Sequence, residues 1–191
     1  SFEIATQCDD RPMNRPLLLL ALCQGFFLTN NVVFIAINGL VGLQLAPLGW
    51  MATLPVTGYV VGSALSAGLV AKTQSHFGRE RSFQFGLVIA ALSAALCAYA
   101  AVTKNFWLLV AATVVAGYYN ANAALYRFAG PELVAPEHKE RAISLVLAGG
   151  ILGAFAGPNL ASATRSMLDV PFAAAYLSLV VVALLSLVVL S

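Results

Sequence analysis

Residues 16–45 read PLLLLALCQGFFLTNNVVFIAINGLVGLQL, an apolar stretch without a single charged side chain. A helix needs about 20 predominantly apolar residues to cross the hydrocarbon core of a bilayer. The stretch exceeds that length, and it is also longer than the apolar core of a secretory signal peptide. It therefore predicts a transmembrane helix that stays in the mature protein.

The composition extends this prediction to the whole chain. Of its 191 residues, 60% are hydrophobic and 9% are charged, whereas a soluble domain carries about 25% charge. The apolar residues form unbroken blocks rather than the alternating pattern of an outer-membrane strand. The blocks are residues 16–45, 50–71, 82–103, 106–128, 141–162 and 172–190. We therefore expect an all-α membrane protein, with residues 16–191 forming a bundle of six transmembrane helices.

Basic residues are distributed unevenly between the two predicted sides of the membrane. Eight of the ten lysines and arginines fall on the side of the N-terminus, and the other two are Lys104 and Arg165. Cytoplasmic loops of membrane proteins carry an excess of Lys and Arg. We therefore expect a multi-pass protein with both termini in the cytoplasm, where residues 1–15 form a short polar segment.

The six blocks differ in a pattern that repeats. The first contains amides and the fourth contains amides and tyrosines, the second and fifth are rich in small residues, and the third and sixth are the most uniformly apolar. Because each triplet has an odd number of helices, the second triplet must cross the membrane in the opposite direction to the first. This predicts a 3+3 inverted repeat, which secondary transporters use to build a site with two alternative entrances.

Polar side chains on the first and fourth blocks are the candidates for lining such a site. Gln24, Asn31 and Asn38 are seven residues apart, which is nearly two helical turns, so they lie on one face. On the fourth block, positions 119, 122 and 126 share a face by the same rule. The candidate cavity residues are Gln24, Asn30, Asn31, Asn38, Tyr119, Asn122, Tyr126 and Arg127.

These residues also have structural interpretations. Amides form hydrogen bonds between transmembrane helices, and tyrosines belong to the aromatic belt at the membrane surface. Arg127 also suits an anchor that extends to the cytoplasmic headgroups. The sequence leaves both interpretations open.

Constellations typical of enzymes and metal sites are absent from the sequence. The eight acidic residues all lie outside the apolar blocks, the three cysteines are far apart, and there is no nucleophile–base pair or phosphate-binding loop. The net charge of +2 comes without basic runs among aromatic residues. We expect no enzymatic activity, no cofactor, no resident metal and no nucleic-acid partner.

The loop after the second block resembles a motif of the major facilitator superfamily. Residues 71–81 read AKTQSHFGRER and are similar to the signature loop between the second and third helices of that family. Gly78, Arg79 and Arg81 fit the motif, whereas Ser75 stands where the family has an acidic residue. In the family, that acidic residue helps to hold the two halves of the carrier together.

The fifth block carries a second resemblance. Gly149, Gly153 and Gly157 recur at four-residue spacing, which is typical of helices packed closely in lipid. Gly153 and Gly157, followed by Pro158, are similar to the GxxxGP element of the same superfamily. A proline at this position removes a backbone donor, so a bend or pivot is expected there.

The resemblance implies a fold and a function. Superfamily members have twelve helices in two six-helix bundles, and this chain is most similar to the N-terminal bundle of a bacterial member. It implies an inner-membrane carrier that moves a small solute by alternating access. The chain would act as one half and pair with a second six-helix half, with a second copy, or within a larger membrane complex.

Two alternatives stand beside this interpretation. The missing acidic residue and the lack of a buried charge also suit a non-transporting subunit that helps to assemble a larger membrane complex. Residues 126–129 and 148–150 are similar to a bacterial branch that includes copper importers, which makes copper uptake the other alternative. The three methionines, Met13, Met51 and Met167, form no closely spaced pair that would support it.

Overall fold

The computed structural model describes residues 15–129, 138–164 and 173–190. Residues 1–14 of the predicted N-terminal segment lie outside the described residues, and Arg15 already begins the first helix. The described residues contain no strand; they form a 3₁₀-helix, Gly49–Thr53, and seven α-helices. The α-helices are α1 Arg15–Leu45, α2 Leu54–Phe77, α3 Arg79–Val102, α4 Phe106–Ala123, α5 Tyr126–Ala129, α6 Lys139–Thr164 and α7 Ala173–Leu190.

The predicted all-α, six-helix architecture is confirmed. The long helices α1, α2, α3, α4, α6 and α7 correspond to the six apolar blocks, and the short α5 follows α4 after a two-residue turn. Four described segments have the length and hydropathy of a membrane span: Leu17–Leu45, Gly49–Phe77, Arg79–Val102 and Lys139–Asn159. The apolar part of α7, Ala174–Val189, is shorter, and the second half of α4 carries two tyrosines and two asparagines.

Helix packing follows the predicted inverted repeat. The most extensive contacts join α1 to α6, α2 to α4 and α3 to α7, followed by those of α3 with α4 and of α1 with α7. Exchanging α1 with α4, α2 with α6 and α3 with α7 converts this set of pairs into itself. The bundle therefore consists of two interlocked three-helix repeats.

Glycines bring α1 and α6 into backbone contact. A Cβ atom on Gly25 would lie 2.9 Å from the carbonyl oxygen of Gly149, and one on Gly153 would collide with the carbonyl group of Gly25. Thr29 adds a hydrogen bond across the contact, because its hydroxyl donates to the Gly153 carbonyl oxygen at 2.8 Å. Gly157 lies one turn further along the same interface. The absence of side chains thus lets the two backbones approach closely.

The α2–α4 interface repeats this arrangement. A Cβ atom on Gly62 would collide with the backbone of Val114, and one on Gly117 would collide with the backbone of Gly62. The contacts advance in the same direction along both helices, so α2 and α4 run parallel, as α1 and α6 do. Exchanging the two repeats converts one glycine interface into the other.

A single glycine joins α2 to α3. Gly78 follows the last residue of α2 and precedes the first residue of α3, with φ 83° and ψ 165°. This backbone conformation is essentially restricted to glycine, because a Cβ atom strains it. The sharp change of direction between the two helices therefore depends on this residue type.

Replacing Gly78 by alanine is expected to lower the free energy of unfolding by about 1–3 kcal/mol through backbone strain. No described atom lies within 4 Å of the new Cβ position, so the effect is conformational rather than steric. Thermal unfolding in detergent measures it. Gly68→Ala, at an equally open position of α2, is the matched control and is expected to stabilise slightly. Equal effects of the two substitutions would contradict the assignment.

Candidate functional site

Asn38 joins α1 to α7 in the interior of the bundle. Its side chain is fully buried. The amide nitrogen donates to the Phe34 carbonyl oxygen at 2.8 Å, and Oδ1 accepts from the Tyr176 hydroxyl at 2.8 Å. Both ends of the amide are therefore engaged within the bundle.

Tyr119 and Tyr126 are buried in an aromatic cluster around Phe27. The Phe27 ring meets both tyrosine rings edge to face, with centroid distances of 5.7 Å to Tyr119 and 6.3 Å to Tyr126. Phe83 of α3 packs against Tyr126 at 4.6 Å. The two tyrosines thus hold α1, α3 and the α4–α5 segment together.

Asn122 is the centre of a buried hydrogen-bond network near the α2–α3 turn. Its Nδ2 donates to the Ser82 carbonyl oxygen at 2.5 Å, and its Oδ1 accepts from Gln74 Nε2 at 3.0 Å and from the Ser82 hydroxyl at 3.3 Å. Gly86 makes room for the amide, because a Cβ atom there would lie 2.6 Å from Nδ2. Asn122 therefore ties α4 to the end of α2 and to the start of α3.

Polar groups follow the line where α1, α2 and α4 meet. The Tyr59 hydroxyl donates to Asn31 Oδ1 at 2.9 Å, and Asn120 Nδ2 donates to the Ser63 hydroxyl at 3.2 Å. Tyr59 is buried, whereas the other three side chains are half-buried. We call these four residues the polar seam. It offers uncharged donors and acceptors and contains no ionised side chain.

Asn30 borders a small cavity beside the polar seam. The cavity measures about 10 Å³, which is room for roughly one water molecule. Its lining combines residues of α1, α2, α3 and α4: Asn30, Phe34, Tyr59, Ala90, Ser93, Ala116 and Tyr119. Two predicted residues of different repeats, Asn30 and Tyr119, therefore reach the same cavity.

Gln24 lies at the contact between α1 and α6. The side chain is buried, and a Cβ atom on Gly150 would lie 3.2 Å from Gln24 Cγ. Its Oε1 atom is buried without a hydrogen-bond partner among the described residues. The amide therefore packs over Gly150 rather than into the polar seam.

The remaining predicted residues lie on α3, α5 and α6. Arg79 and Arg81 lie in the first turn of α3, where Arg79 is half-buried and Arg81 is exposed. The backbone of Arg127 belongs to α5, and its side chain lies outside the described part of the chain. Pro158 lies inside α6, which continues to Thr164, so the proline does not end the helix.

The structure therefore separates the predicted cavity residues into two groups. Asn31 lies in the polar seam and Asn30 lies beside it, whereas Asn38 and Asn122 bond to other helices inside the bundle. Three residues of the polar seam were not predicted: Tyr59, Ser63 and Asn120. A usable signal was the four-residue spacing of the hydroxyls at 59 and 63, which places both on one face of α2.

Side chains that could bind a metal ion are not clustered in the described part of the chain. The three described ranges contain no group of three or more His, Cys, Asp or Glu side chains placed to hold a metal ion. Cys23 and Cys97 are buried as free thiols.

Comparisons with known proteins point to one family. The family model described as the Major Facilitator Superfamily matches residues 17–191. The riboflavin transporter RfnT of Brucella anthropi is 32% identical over 183 residues, which cover 95% of this chain and 46% of that protein. The uncharacterized MFS-type transporter YdeG of Bacillus subtilis is 27% identical over 146 residues, or 76% of this chain and 34% of that protein. The chain thus spans less than half the length of these relatives.

Proposed function

Because this chain belongs to the major facilitator superfamily, we propose that it forms one six-helix half of a carrier that moves a small solute by alternating access. The polar seam is the proposed contact surface for the solute. The observation that carries this assignment is the pair of hydrogen bonds Tyr59–Asn31 and Asn120–Ser63, which follow a half-buried line between helices of both repeats. Groups in such a position remain able to exchange partners with a solute.

An uncharged seam suits a neutral solute that has several hydrogen-bonding groups. Amide and hydroxyl side chains both donate and accept, whereas a charged solute would need an opposite charge to offset its loss of hydration. Riboflavin, the solute in the name of the Brucella anthropi relative, has a neutral ring system with carbonyl and imide groups and a side chain of hydroxyls. It is therefore the first solute to test.

The proposed setting is the inner membrane of a bacterium, with both termini in the cytoplasm. The eight-to-two distribution of basic residues supports this orientation. A second six-helix half would complete the solute path, and a homodimer or a larger membrane complex are the alternative assemblies. The mass of the carrier, purified in mild detergent from cells that express its gene, distinguishes these assemblies.

Replacing Asn31 and Asn120 together by leucine is expected to reduce riboflavin uptake about fivefold or more, because two lost hydrogen bonds together cost at least about 1 kcal/mol. Each lost hydrogen bond is worth about 0.5–1.5 kcal/mol, and 1.4 kcal/mol corresponds to a factor of ten. Uptake is measured in a riboflavin-requiring bacterium that expresses the gene, at equal amounts of membrane-inserted protein. Both positions are half-buried, so the fold is expected to survive.

The matched control is Asn159→Leu, which removes an exposed amide whose hydrogen bond in the described part of the chain stays within α6. Uptake by this variant is expected to equal that of the parent. Unchanged uptake in the double variant would rule out the seam as the solute contact. Absence of uptake by the parent, together with stable co-purification of other membrane proteins, would favour the assembly role instead.

A further inference from the structure

A cleft between the end of α2 and the start of α3 combines aromatic walls with a cation. It has a volume of about 350 Å³ and is lined by Thr73, Phe77, Arg81 and Phe85. We call it the α2–α3 cleft. Both phenyl rings are more than half exposed, at 57% for Phe77 and 54% for Phe85, and Arg81 is exposed as well.

The walls of the α2–α3 cleft are fixed from behind by α4. The Tyr118 hydroxyl donates to Thr73 Oγ1 at 3.0 Å. The Tyr118 ring meets the Phe85 ring edge to face, with centroids 6.0 Å apart. Because one side chain contacts both walls, α2 and α3 keep their separation, and the cleft is a formed feature rather than a chance gap.

The segment that forms the cleft carries a positive net charge, and Arg81 is the cation among the lining residues. Residues 71–85 contain three basic side chains, Lys72, Arg79 and Arg81, and one acidic side chain, Glu80, which gives a formal charge of +2. The N-terminus of α3 adds a partial positive charge. Its N-cap residue is Gly78, so no side chain at the cap accepts a hydrogen bond from the backbone N–H groups there. An anion beside Arg81 is therefore favoured on electrostatic grounds.

The depth of the cleft matches the boundary of a bilayer. The two candidate membrane spans Gly49–Phe77 and Arg79–Val102 end and begin at this turn. Arg81 therefore lies near the level of the lipid headgroups, and Phe85 lies about one helical turn further into the hydrocarbon. A cation at the headgroup level is therefore followed, deeper in the membrane, by an apolar side chain, which matches the headgroup and acyl chain of a phospholipid.

We propose that the α2–α3 cleft binds an anionic phospholipid, with the headgroup phosphate on Arg81 and an acyl chain between Phe77 and Phe85. The guanidinium pairs with phosphate oxygens through a charge-assisted hydrogen bond. A free phosphate ion would use the cation and leave the phenyl walls empty, so the apolar lining favours the lipid. This site is independent of the polar seam and of the transported solute.

Fluorescence quenching by brominated lipids tests the proposal on the full chain. The two native tryptophans, Trp50 and Trp107, are changed to phenylalanine, and Phe77→Trp places a reporter in the cleft. Brominated phosphatidylglycerol is expected to quench the reporter with roughly fivefold higher affinity than brominated phosphatidylcholine. This factor corresponds to about 1 kcal/mol for one basic residue near an anionic lipid.

Arg81→Gln is expected to abolish the preference, and Arg81→Lys is expected to retain most of it. Arg141→Gln, which removes an exposed arginine in the first turn of α6, is the matched control and should keep the full preference. Equal quenching by the two lipids in the parent, or a preference that survives Arg81→Gln, would overturn the proposal. Loss of the preference on adding millimolar inorganic phosphate at constant ionic strength would also overturn it, because it would identify a phosphate site.

If the reporter variant does not fold, native mass spectrometry of the parent provides the second measurement. Retention of phosphatidylglycerol by the parent and by Arg141→Gln, with loss in Arg81→Gln, is the expected result. Equal retention in all three proteins would contradict the site.

Discussion

Gly153→Leu is expected to lower the thermal stability of the protein strongly in detergent. A Cβ atom at this position would collide with the backbone carbonyl of Gly25, and a backbone group on a packed helix cannot rotate away as a side chain can. Overpacking of a core costs about 1–3 kcal/mol where side chains adjust, and we expect at least the upper value here. The apparent Tm should then fall by about 6–12 °C or more, at roughly 2–4 °C per kcal/mol for a chain of this size.

The measurement is a fluorescence-detected size-exclusion assay after heating in detergent. Gly39→Leu is the matched control, because it introduces the same side chain on α1 at a position with no described atom within 4 Å. It should elute as the parent does and unfold within about 2 °C of it. A Gly153→Leu protein as stable as Gly39→Leu would show that the α1–α6 backbones are further apart than described.

Asn122→Leu is expected to cost about 3 kcal/mol of stability, since it leaves several buried polar groups without partners. The substitution removes the acceptor of Gln74 Nε2 and of the Ser82 hydroxyl, and it removes the donor to the Ser82 carbonyl oxygen. These groups are at the junction of α2, α3 and α4, where Ser82 is fully buried and Gln74 is half-buried. Thermal unfolding in detergent should show a Tm lowered by about 6–12 °C.

Asn120→Leu is the matched control for this prediction. The same amide is removed two positions away, where it is half-buried and makes one hydrogen bond to Ser63, so we expect a cost of about 1 kcal/mol or less. The two asparagines should therefore separate stability from transport: Asn122 governs the first and Asn120 the second. Equal loss of stability in both variants would contradict the distinction between network and seam.

Helix number, repeat order and glycine spacing could be predicted because they depend on local pattern. Apolar length identifies a span without knowledge of its neighbours. The four-residue recurrence of Gly149, Gly153 and Gly157 identifies a smooth face, whichever helix packs against it. The exchange symmetry of the bundle likewise follows from the alternation of polar, small and apolar blocks.

The neighbours of each polar side chain could not be predicted in the same way. In a soluble helix the polar face marks the solvent, but in lipid both the buried and the exposed faces are apolar. The shared face of Tyr119, Asn122 and Tyr126 was therefore predictable, whereas its direction toward α3 and α1 was not. Along α1, a seven-residue spacing also drifts by about 20° per repeat. Asn31 meets α2, whereas Asn38, about 10 Å further along α1, meets α7.

The pairing of helices across the two repeats has a consequence for synthesis. The hydrogen bond between Thr29 and Gly153 joins residues 124 positions apart, and that between Ser63 and Asn120 joins residues 57 apart. At about 5–20 residues per second, α2 acquires its partner roughly 3–11 s after its own translation, whereas α1 waits roughly 6–25 s. During that interval the glycine face of α1 is without its partner α6, so α1 waits longer than α2 for its packing partner and depends longer on the machinery that inserts it.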